Sequence, residues 1–113
     1  MADYTKYTNK EMQAITLAQC ITNDNIAIVG TGLPLIGASV AKRLFAPKCN
    51  LIVESGLMDC DPIEVPRSVG DLRFMAHCGC QWPNIRFIGF ETNDWIHNNE
   101  RIVAFIGGAQ IDP

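Results

Sequence analysis

The chain has 113 residues and a formal net charge of −3, with 48% hydrophobic and 19% charged residues. Such a composition is typical of one ordered globular domain, and it disfavours both a disordered chain and a strongly basic nucleic-acid-binding surface. No apolar run reaches the roughly 18 residues of a membrane-spanning helix, and the five cysteines form an odd set without the spacing of a disulfide framework. We therefore expect a cytoplasmic protein with free thiols, bound neither to nucleic acid nor to a membrane.

The first predicted elements alternate between helix and strand. Thr8 and Glu11 have the spacing of a capping box, in which each side chain accepts a hydrogen bond from the other residue's backbone, so a helix is predicted over residues 9–22. The apolar run at 26–29 is typical of a buried parallel strand. The glycine-rich turn at 30–34 then leads into a second helix, because its proline suits the first helical position.

The rest of the chain continues this alternation. In order, the sequence predicts the end of the second helix at Pro47, a strand at 51–53, a loop at 57–68, a helix at 69–78, and two strands at 85–90 and 102–106. Alternating helices and strands predict an α/β fold with an open, mainly parallel sheet and flanking helices. We expect residues 1–113 to form a single domain of this class.

Small and charged residues stand where the predicted strands end. Ligands of open α/β sheets bind beyond the carboxyl ends of the strands, where small residues let a ligand approach the backbone. Backbone N–H groups at the start of the second helix can also bind an anion or an oxyanion. A structural alternative is that the glycines only terminate the strands. The four strand ends are Gly30-Thr31-Gly32, Glu54-Ser55-Gly56, Glu91-Thr92 and Gly107-Gly108-Ala109-Gln110.

Glu54 admits three interpretations from the residues alone. It is a solvated loop acid, a ribose-binding acid of a dinucleotide site, or a nucleophile. The dinucleotide interpretation has weak support, because Leu35 occupies the position of that motif's third glycine and Gly37 comes two residues late. A nucleophilic carboxylate must be rigid, desolvated and approachable. The end of a buried strand followed by Ser55 and Gly56 is expected to provide these properties.

The His77-Cys78-Gly79-Cys80 cluster is a poor candidate for a metal site. Structural zinc sites use two ligand pairs, and their paired cysteines are separated by about two to four residues. Here one residue separates the two cysteines, and no second pair follows. We therefore expect no bound metal, and a core or surface role for these side chains.

Three stretches of the chain resemble the family I CoA-transferases. They are Gly-Thr-Gly-Leu-Pro at 30–34, Val-Glu-Ser-Gly-Leu at 53–57 and Gly-Gly-Ala-Gln-Ile-Asp at 107–112. A further stretch at 67–80, Arg-Ser-Val-Gly-Asp-Leu-Arg-Phe-Met-Ala-His-Cys-Gly-Cys, narrows the resemblance to the β subunits of the glutaconate branch. The family's common catalytic motif is Glu-Asn-Gly, whereas this chain has Glu-Ser-Gly at 54–56, the version associated with the glutaconate branch.

The resemblance implies a role for Glu54 and for its surroundings. Glu54 would attack an acyl-CoA thioester and then hold CoA as a glutamyl thioester, in a ping-pong cycle that needs no cofactor other than the CoA substrate. It also implies a donor such as acetyl-CoA, a dicarboxylate acceptor such as glutaconate or 2-hydroxyglutarate, and an α subunit whose interface lies near the active site. The implied substrate- and CoA-binding residues are Gly30, Thr31, Gly32, Ser55, Gly56 and Gln110.

Members of the family the chain resembles continue well beyond residue 113, through a glycine-rich segment that resembles an oxyanion-forming loop. We therefore expect the chain to be an N-terminal part that is inactive by itself, since losing one oxyanion donor lowers a rate about a hundred- to a thousand-fold. Three alternatives stay open: a hydrolase-like relative that acts on CoA thioesters without a glutamate nucleophile, a dinucleotide-binding domain, and a non-catalytic interaction subunit. The presence of Glu54 disfavours the first.

Overall fold

The computed structural model describes residues 5–61, 63–68, 70–81 and 100–110. Helices and strands alternate through the first half of the chain, as the apolar periodicity predicts. In chain order, the elements are α1 (Asn9–Gln19), β1 (Ile26–Val29), α2 (Leu33–Leu44), β2 (Asn50–Val53), β3 (Leu57–Met58), α3 (Leu72–Met75), β4 (Cys80–Gln81) and β5 (Ile102–Phe105).

Three parallel strands form the central sheet, in the order β2-β1-β5. β1 lies in the middle and pairs with one strand on each side, so Val29 at its end lies opposite both Val53 and Phe105. The three strands therefore end level with one another. This arrangement confirms the predicted α/β fold with a parallel sheet and flanking helices.

The main core lies between one face of this sheet and the two long helices. Side chains alternate along a strand, so Ala27 and Val29 of β1 face the core together with Leu51 and Val53 of β2. The helices contribute mostly small residues, which allow close packing on the strands; those fully buried are Ala18, Leu35, Ala38 and Ala41. This packing holds the strands, and hence their ends, in fixed positions.

The capping box predicted at the start of α1 is confirmed. The Thr8 hydroxyl accepts a hydrogen bond from the backbone of Glu11, and the Glu11 carboxylate accepts one from the backbone of Thr8. The helix ends at Gln19, however, and the predicted end at residue 22 is wrong. The side chain of Asn25 accepts a hydrogen bond from the backbone N–H of Thr22, and this local turn replaces the last helical turn.

The expected loop at 57–68 contains an unpredicted strand. β3 pairs antiparallel with β4, with Leu57 opposite Gln81, and the two form a small second sheet. Strands of two residues are too short to leave an alternating apolar pattern in the sequence, which is why this pairing was not predicted.

The helix expected at 69–78 is wrong in length, since α3 covers only Leu72–Met75. It begins where the Asp71 side chain accepts a hydrogen bond from the backbone N–H of Arg73. Beyond the helix, the N–H of Gly79 donates to a carbonyl of β3, and this pairing takes the place of further helical turns.

The other predicted strands have different outcomes. β1 has the predicted bounds, β2 begins one residue before the predicted 51–53, and β5 ends one residue before the predicted end at 106. The strand expected at 85–90 lies outside the described residues. Within the part of the chain that the structure describes, no helix is long and apolar enough to cross a bilayer.

Candidate functional site

The carboxyl ends of the three parallel strands form one edge of the molecule. Glu54 follows β2, Gly30 follows β1 and Ile106 follows β5. Because the strands end level and β1 is central, Gly30 lies between the other two. The N–H of Gly30 donates to the carbonyl oxygen of Phe105 over 3.0 Å, which ties the ends of β1 and β5 together. The structure thus brings together three of the strand ends that the sequence predicts to face a ligand.

Glu54 lies in a tight turn directly after β2. The N–H of Gly56 donates to the carbonyl oxygen of Val53 over 2.9 Å, and this closes a four-residue turn with Glu54 at its second position. Gly56 has a φ of 84°, a left-handed conformation that glycine adopts without steric cost. Ser55 is half-buried between them. The backbone of Glu54 is therefore held on one side by a buried strand and on the other by a closed turn.

The side chain of Glu54 is exposed. The expectation that the end of a buried strand would desolvate this carboxylate is therefore wrong for the described structure. Burial stops at Val53, because the turn takes the next residue beyond the packed face of the sheet. Among the described residues, no cation forms an ion pair with the Glu54 carboxylate. The strand end supplies position and access, which are two of the three properties that a nucleophile needs.

Gly30 lies directly beside the Glu54 carboxylate. A Cβ atom placed on Gly30 would lie 3.1 Å from Oε1 of Glu54, closer than ordinary carbon–oxygen packing. Gly30 is buried, and its N–H already bonds to Phe105. What Gly30 provides at this edge is therefore space, because its backbone donor is used inside the sheet.

Thr31 and Gly32 are exposed and form the entry to α2. Gly32 caps the helix with a φ of 95°, and no side chain among the described residues bonds to the free N–H groups of the first turn. Pro34 occupies one of the first two helical positions, as expected. The positive end of the α2 dipole thus faces the same edge as Glu54, which is a favourable environment for an anionic group.

The segment after β5 approaches the start of α2. A Cβ on Gly107 would lie 3.9 Å from the side chain of Pro34, an ordinary packing distance. Gln110 is exposed, and its predicted closeness to Glu54 stays a prediction. The fourth predicted strand end, at 91–92, lies outside the described residues.

The cluster at 77–80 has a structural role in the described part of the chain. The carbonyl oxygen of His77 accepts a hydrogen bond from the N–H of Asp61 over 2.8 Å, and Gly79 donates to Met58 over 2.9 Å. These bonds extend the pairing of β3 with β4. No group of three or more metal-ligating side chains occurs within the described residues.

The sequence analysis did not identify a buried lysine that anchors the segment following Glu54. Lys42 of α2 is only 9% exposed, and its Nζ donates to the carbonyl oxygen of Cys49 over 2.9 Å and to Oδ1 of Asp59 over 3.1 Å. This contact fixes the segment after the Glu54 turn against α2. One signal was available, because Lys42 follows Ala38 by one helical turn on the buried face, where a cation requires a partner.

Comparisons with known proteins agree on one family. The model of the coenzyme A transferase family matches residues 10–113. The chain is 74% identical, over all of its 113 residues, to a subunit of the glutaconate CoA-transferase of Acidaminococcus fermentans, and it covers 42% of that subunit. It is 29% identical over 106 residues to a subunit of the 3-oxoadipate CoA-transferase of Pseudomonas knackmussii, covering 94% of this chain and 39% of that relative.

A solved structure gives the same result. The crystal structure of glutaconate coenzyme A-transferase from Acidaminococcus fermentans matches this chain with a TM-score of 0.87 and 73% identity. The match covers 98% of this chain and 43% of the other. The chain thus spans less than half the length of each of these relatives.

Proposed function

Because the chain belongs to the coenzyme A transferase family, we propose that it carries the catalytic nucleophile of a CoA-transferase subunit. One observation supports this most directly: Glu54 stands in a closed turn at the carboxyl edge of a parallel sheet, with its carboxylate accessible. The names of its relatives describe each of them as one subunit of a CoA-transferase, which supports the same role for this chain. We further propose that residues 1–113 belong to one domain.

The proposed reaction begins when a carboxylate oxygen of Glu54 attacks the carbonyl carbon of an acyl-CoA. A C–O bond forms and the C–S bond breaks, so the products are a mixed acyl-glutamyl anhydride and the CoA thiolate. The thiolate then attacks the glutamyl carbonyl of the anhydride. A glutamyl-CoA thioester forms on Glu54, and the donor acid leaves as its carboxylate.

The second half of the cycle repeats these steps in reverse with a new acid. The acceptor carboxylate attacks the glutamyl-CoA thioester, which releases CoA thiolate and forms a second anhydride. The thiolate attacks the acceptor acyl carbon, so the acceptor leaves as its CoA ester and the Glu54 carboxylate is restored. These steps balance without a redox or metal cofactor, and we propose none beyond the CoA thioester substrate. Covalent catalysis suits this reaction because each step is a simple acyl transfer between well-placed groups.

The proposed donor is an acyl-CoA such as acetyl-CoA, and the proposed acceptor is a dicarboxylate such as glutaconate or 2-hydroxyglutarate. Two relatives support a dicarboxylate, because glutaconate and 3-oxoadipate, the acids in their names, both have two carboxyl groups. The substrate and CoA would contact the edge around Glu54, where the positive end of α2 favours an anion. The proposed contact residues are Gly30, Thr31, Gly32, Ser55, Gly56 and Gln110.

An α subunit is the proposed partner. Glu54 is exposed in the described residues, whereas a carboxylate nucleophile gains reactivity when water is excluded around it. An α subunit that packs over the strand edge would provide that exclusion, so we propose that the active site lies near the interface of a cytoplasmic hetero-oligomer. The same exposure supports the expectation that the chain alone has little activity.

Mass spectrometry of the trapped intermediate tests the proposed function. The assembled enzyme, meaning this chain within its subunit together with the α subunit, is incubated with acetyl-CoA alone and digested. We expect the peptide that contains Glu54 to gain the mass of CoA less one water, because without an acceptor the glutamyl-CoA thioester persists.

Two matched variants control this experiment. Glu54→Gln keeps the side-chain volume but removes the nucleophile, so it should show no adduct. Glu64→Gln changes another exposed glutamate, which pairs with Arg73, and should keep the adduct. An adduct that persists in Glu54→Gln would show that Glu54 is not the nucleophile. Release of free acetate and CoA at equal rates in both variants would instead support the hydrolase-like alternative.

A further inference from the structure

The conformation of Gly30 does not itself require a glycine. Left-handed backbone angles, which favour glycine, occur in the described residues at Gly32, Gly56 and Asp59, and Gly30 is not among them. An alanine at position 30 would therefore not meet the strain of a left-handed φ. The reason for a glycine at this position has to be sought in the space around it.

Among the described residues, one side chain limits that space. Of the three atoms nearest to a Cβ built on Gly30, two are backbone atoms of the β5 end, the Phe105 oxygen at 3.7 Å and the Ile106 Cα at 3.9 Å. Both are ordinary packing distances. The third is Oε1 of Glu54 at 3.1 Å, which is tight enough that the carboxylate would have to move. Of these three neighbours, only the carboxylate of the proposed nucleophile would thus be crowded by a Cβ at position 30.

We propose that Gly30 is a positioning residue whose missing side chain leaves a gap that the Glu54 carboxylate occupies. We call the space where a Cβ of residue 30 would lie the Gly30 gap. Because it is empty, the Glu54 side chain can adopt the conformation in which its carboxylate lies over the end of β1. The proposal rests on Glu54 being the nucleophile for its catalytic consequence, but not for the contact itself. It gives Gly30 a role that needs no hydrogen bond to the substrate, since the Gly30 N–H is already bonded within the sheet.

The walls of the Gly30 gap are more rigid than the side chain inside it. Gly30 is bonded through its N–H to Phe105, and the Glu54 backbone is held by the turn that Gly56 closes onto Val53. A methyl group in the gap would therefore displace the carboxylate rather than either strand. A nucleophile misplaced by about 1 Å loses on the order of a hundred-fold in rate, so even a displacement of a few tenths of an ångström is measurable.

Steady-state kinetics of Gly30→Ala in the assembled enzyme give the first test. We expect kcat to fall by about 10- to 100-fold while the KM for the acyl-CoA changes much less, because the substitution displaces the reacting Glu54 carboxylate and removes no hydrogen-bond donor from the substrate. Gly70→Ala is the matched control, since Gly70 has open space around it and an ordinary φ. It should keep the wild-type kcat. A Gly30→Ala enzyme with the wild-type kcat would overturn the proposal.

A stability cycle tests the contact without reference to catalysis. The thermal midpoint is measured for the wild type, Gly30→Ala, Glu54→Ala and the double variant. We expect Gly30→Ala to lower the midpoint when Glu54 is present and to leave it unchanged or raised when residue 54 is alanine, because the crowding atom is then gone and alanine restricts the unfolded chain. If Gly30→Ala alone does not fold, the double variant should fold.

The stability cycle and the CoA-adduct experiment distinguish the Gly30 gap from the proposed role of Glu54 as nucleophile. Equal losses from Gly30→Ala in both backgrounds would show that the Gly30 gap does not accommodate Glu54, and would overturn this proposal while leaving the CoA adduct on Glu54 intact. A non-additive cycle together with an adduct that survives Glu54→Gln would have the opposite meaning. The contact would then be real, but Glu54 would not be the nucleophile.

Discussion

Two acidic residues in one short segment, Glu54 and Asp59, are both exposed but differ in their partners. Glu54 is exposed at the edge of the sheet, and no described cation pairs with it. Asp59 accepts a hydrogen bond from the buried Lys42, and its backbone N–H donates to the side chain of Asn50. Asp59 also has a φ of 53°, a left-handed conformation that aspartate tolerates better than most residues. One carboxylate is thus accessible for chemistry, and the other is used to hold the chain.

The difference shows how a short turn can be both accessible and rigid. A carboxylate that reacts must not be neutralised by a permanent ion pair, so Glu54 cannot itself anchor the loop that contains it. The anchor lies a few residues later, where Lys42 joins Asp59 to the carbonyl of Cys49, the residue directly before β2. The predictions below separate the two roles, beginning with the largest effect.

Removing each charge in turn should affect opposite properties of the enzyme. Glu54→Gln should lower turnover with acetyl-CoA and glutaconate by more than about a thousand-fold, because the covalent route is lost. Its thermal midpoint should stay near that of the wild type, since no described partner loses an ion pair. Asp59→Asn, in contrast, should keep measurable turnover. A Glu54→Gln enzyme with near-wild-type turnover would show that Glu54 is not the residue that reacts.

The stability of the enzyme should depend on Asp59 more than on Glu54. Asp59→Ala leaves the Lys42 ammonium buried with one fewer acceptor and places alanine at a left-handed φ, so it should cost about 1–3 kcal/mol in urea unfolding. Asp59→Asn keeps an acceptor and tolerates that φ, so its cost should be clearly smaller. Equal stability of both variants and the wild type would show that Lys42 does not need this partner.

Much of the framework on which these residues lie could be predicted from the sequence. The apolar runs at 26–29, 51–53 and 102–106 predicted the three parallel strands, because buried strands leave continuous local patterns. The motifs at the strand ends, together with their resemblance to CoA-transferases, predicted the family that the comparisons then confirmed. They also led to Glu54, whose catalytic role stays a prediction.

What could not be predicted depends on contacts between distant segments. The closeness of Gly30 to Glu54 follows from the pairing register of β1 with β2, and the Lys42–Asp59 contact joins a helix to a loop. Neither leaves a local pattern. The expected desolvation of Glu54 was wrong for a related reason, because strand periodicity describes the side chains within β2 and not the direction taken by the turn after it.

A titration can sharpen the contrast between the exposed edge and the packed segment behind it. Burial in the first place, and the neighbouring Cys78 in the second, raise the pKa of the Cys60 thiol to about 12, against the opposing effect of Lys42. Below the ordinary thiol pKa of 9.0, the thiol is protonated in both the folded and the unfolded state, and this contribution to stability is complete. As pH rises from there toward 12, the unfolded chain loses the proton first and is favoured.

The free energy of unfolding should therefore fall above pH 9 by at most about 1.4 kcal/mol per pH unit from this thiol. Urea unfolding at several pH values measures the slope. Cys60→Ala should have a shallower slope than the wild type in the alkaline range, whatever its absolute stability. Cys20→Ala, which changes an exposed thiol, is the control and should keep the wild-type slope. Identical slopes in all three proteins would mean that burial does not control the Cys60 thiol.

The smallest expected effect is a loss of stability in α1, away from both carboxylates. It serves as a reference for the effects of the variants at the strand edge. Thr8→Ala removes the hydroxyl that accepts the hydrogen bond from Glu11, so it should destabilise the start of α1 by about 1 kcal/mol. Thr16→Ala is the matched control, because Thr16 lies inside α1, where its hydroxyl bonds to the Met12 carbonyl and alanine is the better helix former.

Hydrogen exchange should be faster in the first turn of α1 for Thr8→Ala only. Turnover should not change in either variant, because among the described elements α1 packs chiefly on α2. A loss of turnover in Thr8→Ala comparable to that of Gly30→Ala would show that the strand edge responds to any loss of stability. Glu54 and Asp59 would then not have separate roles in catalysis and in stability.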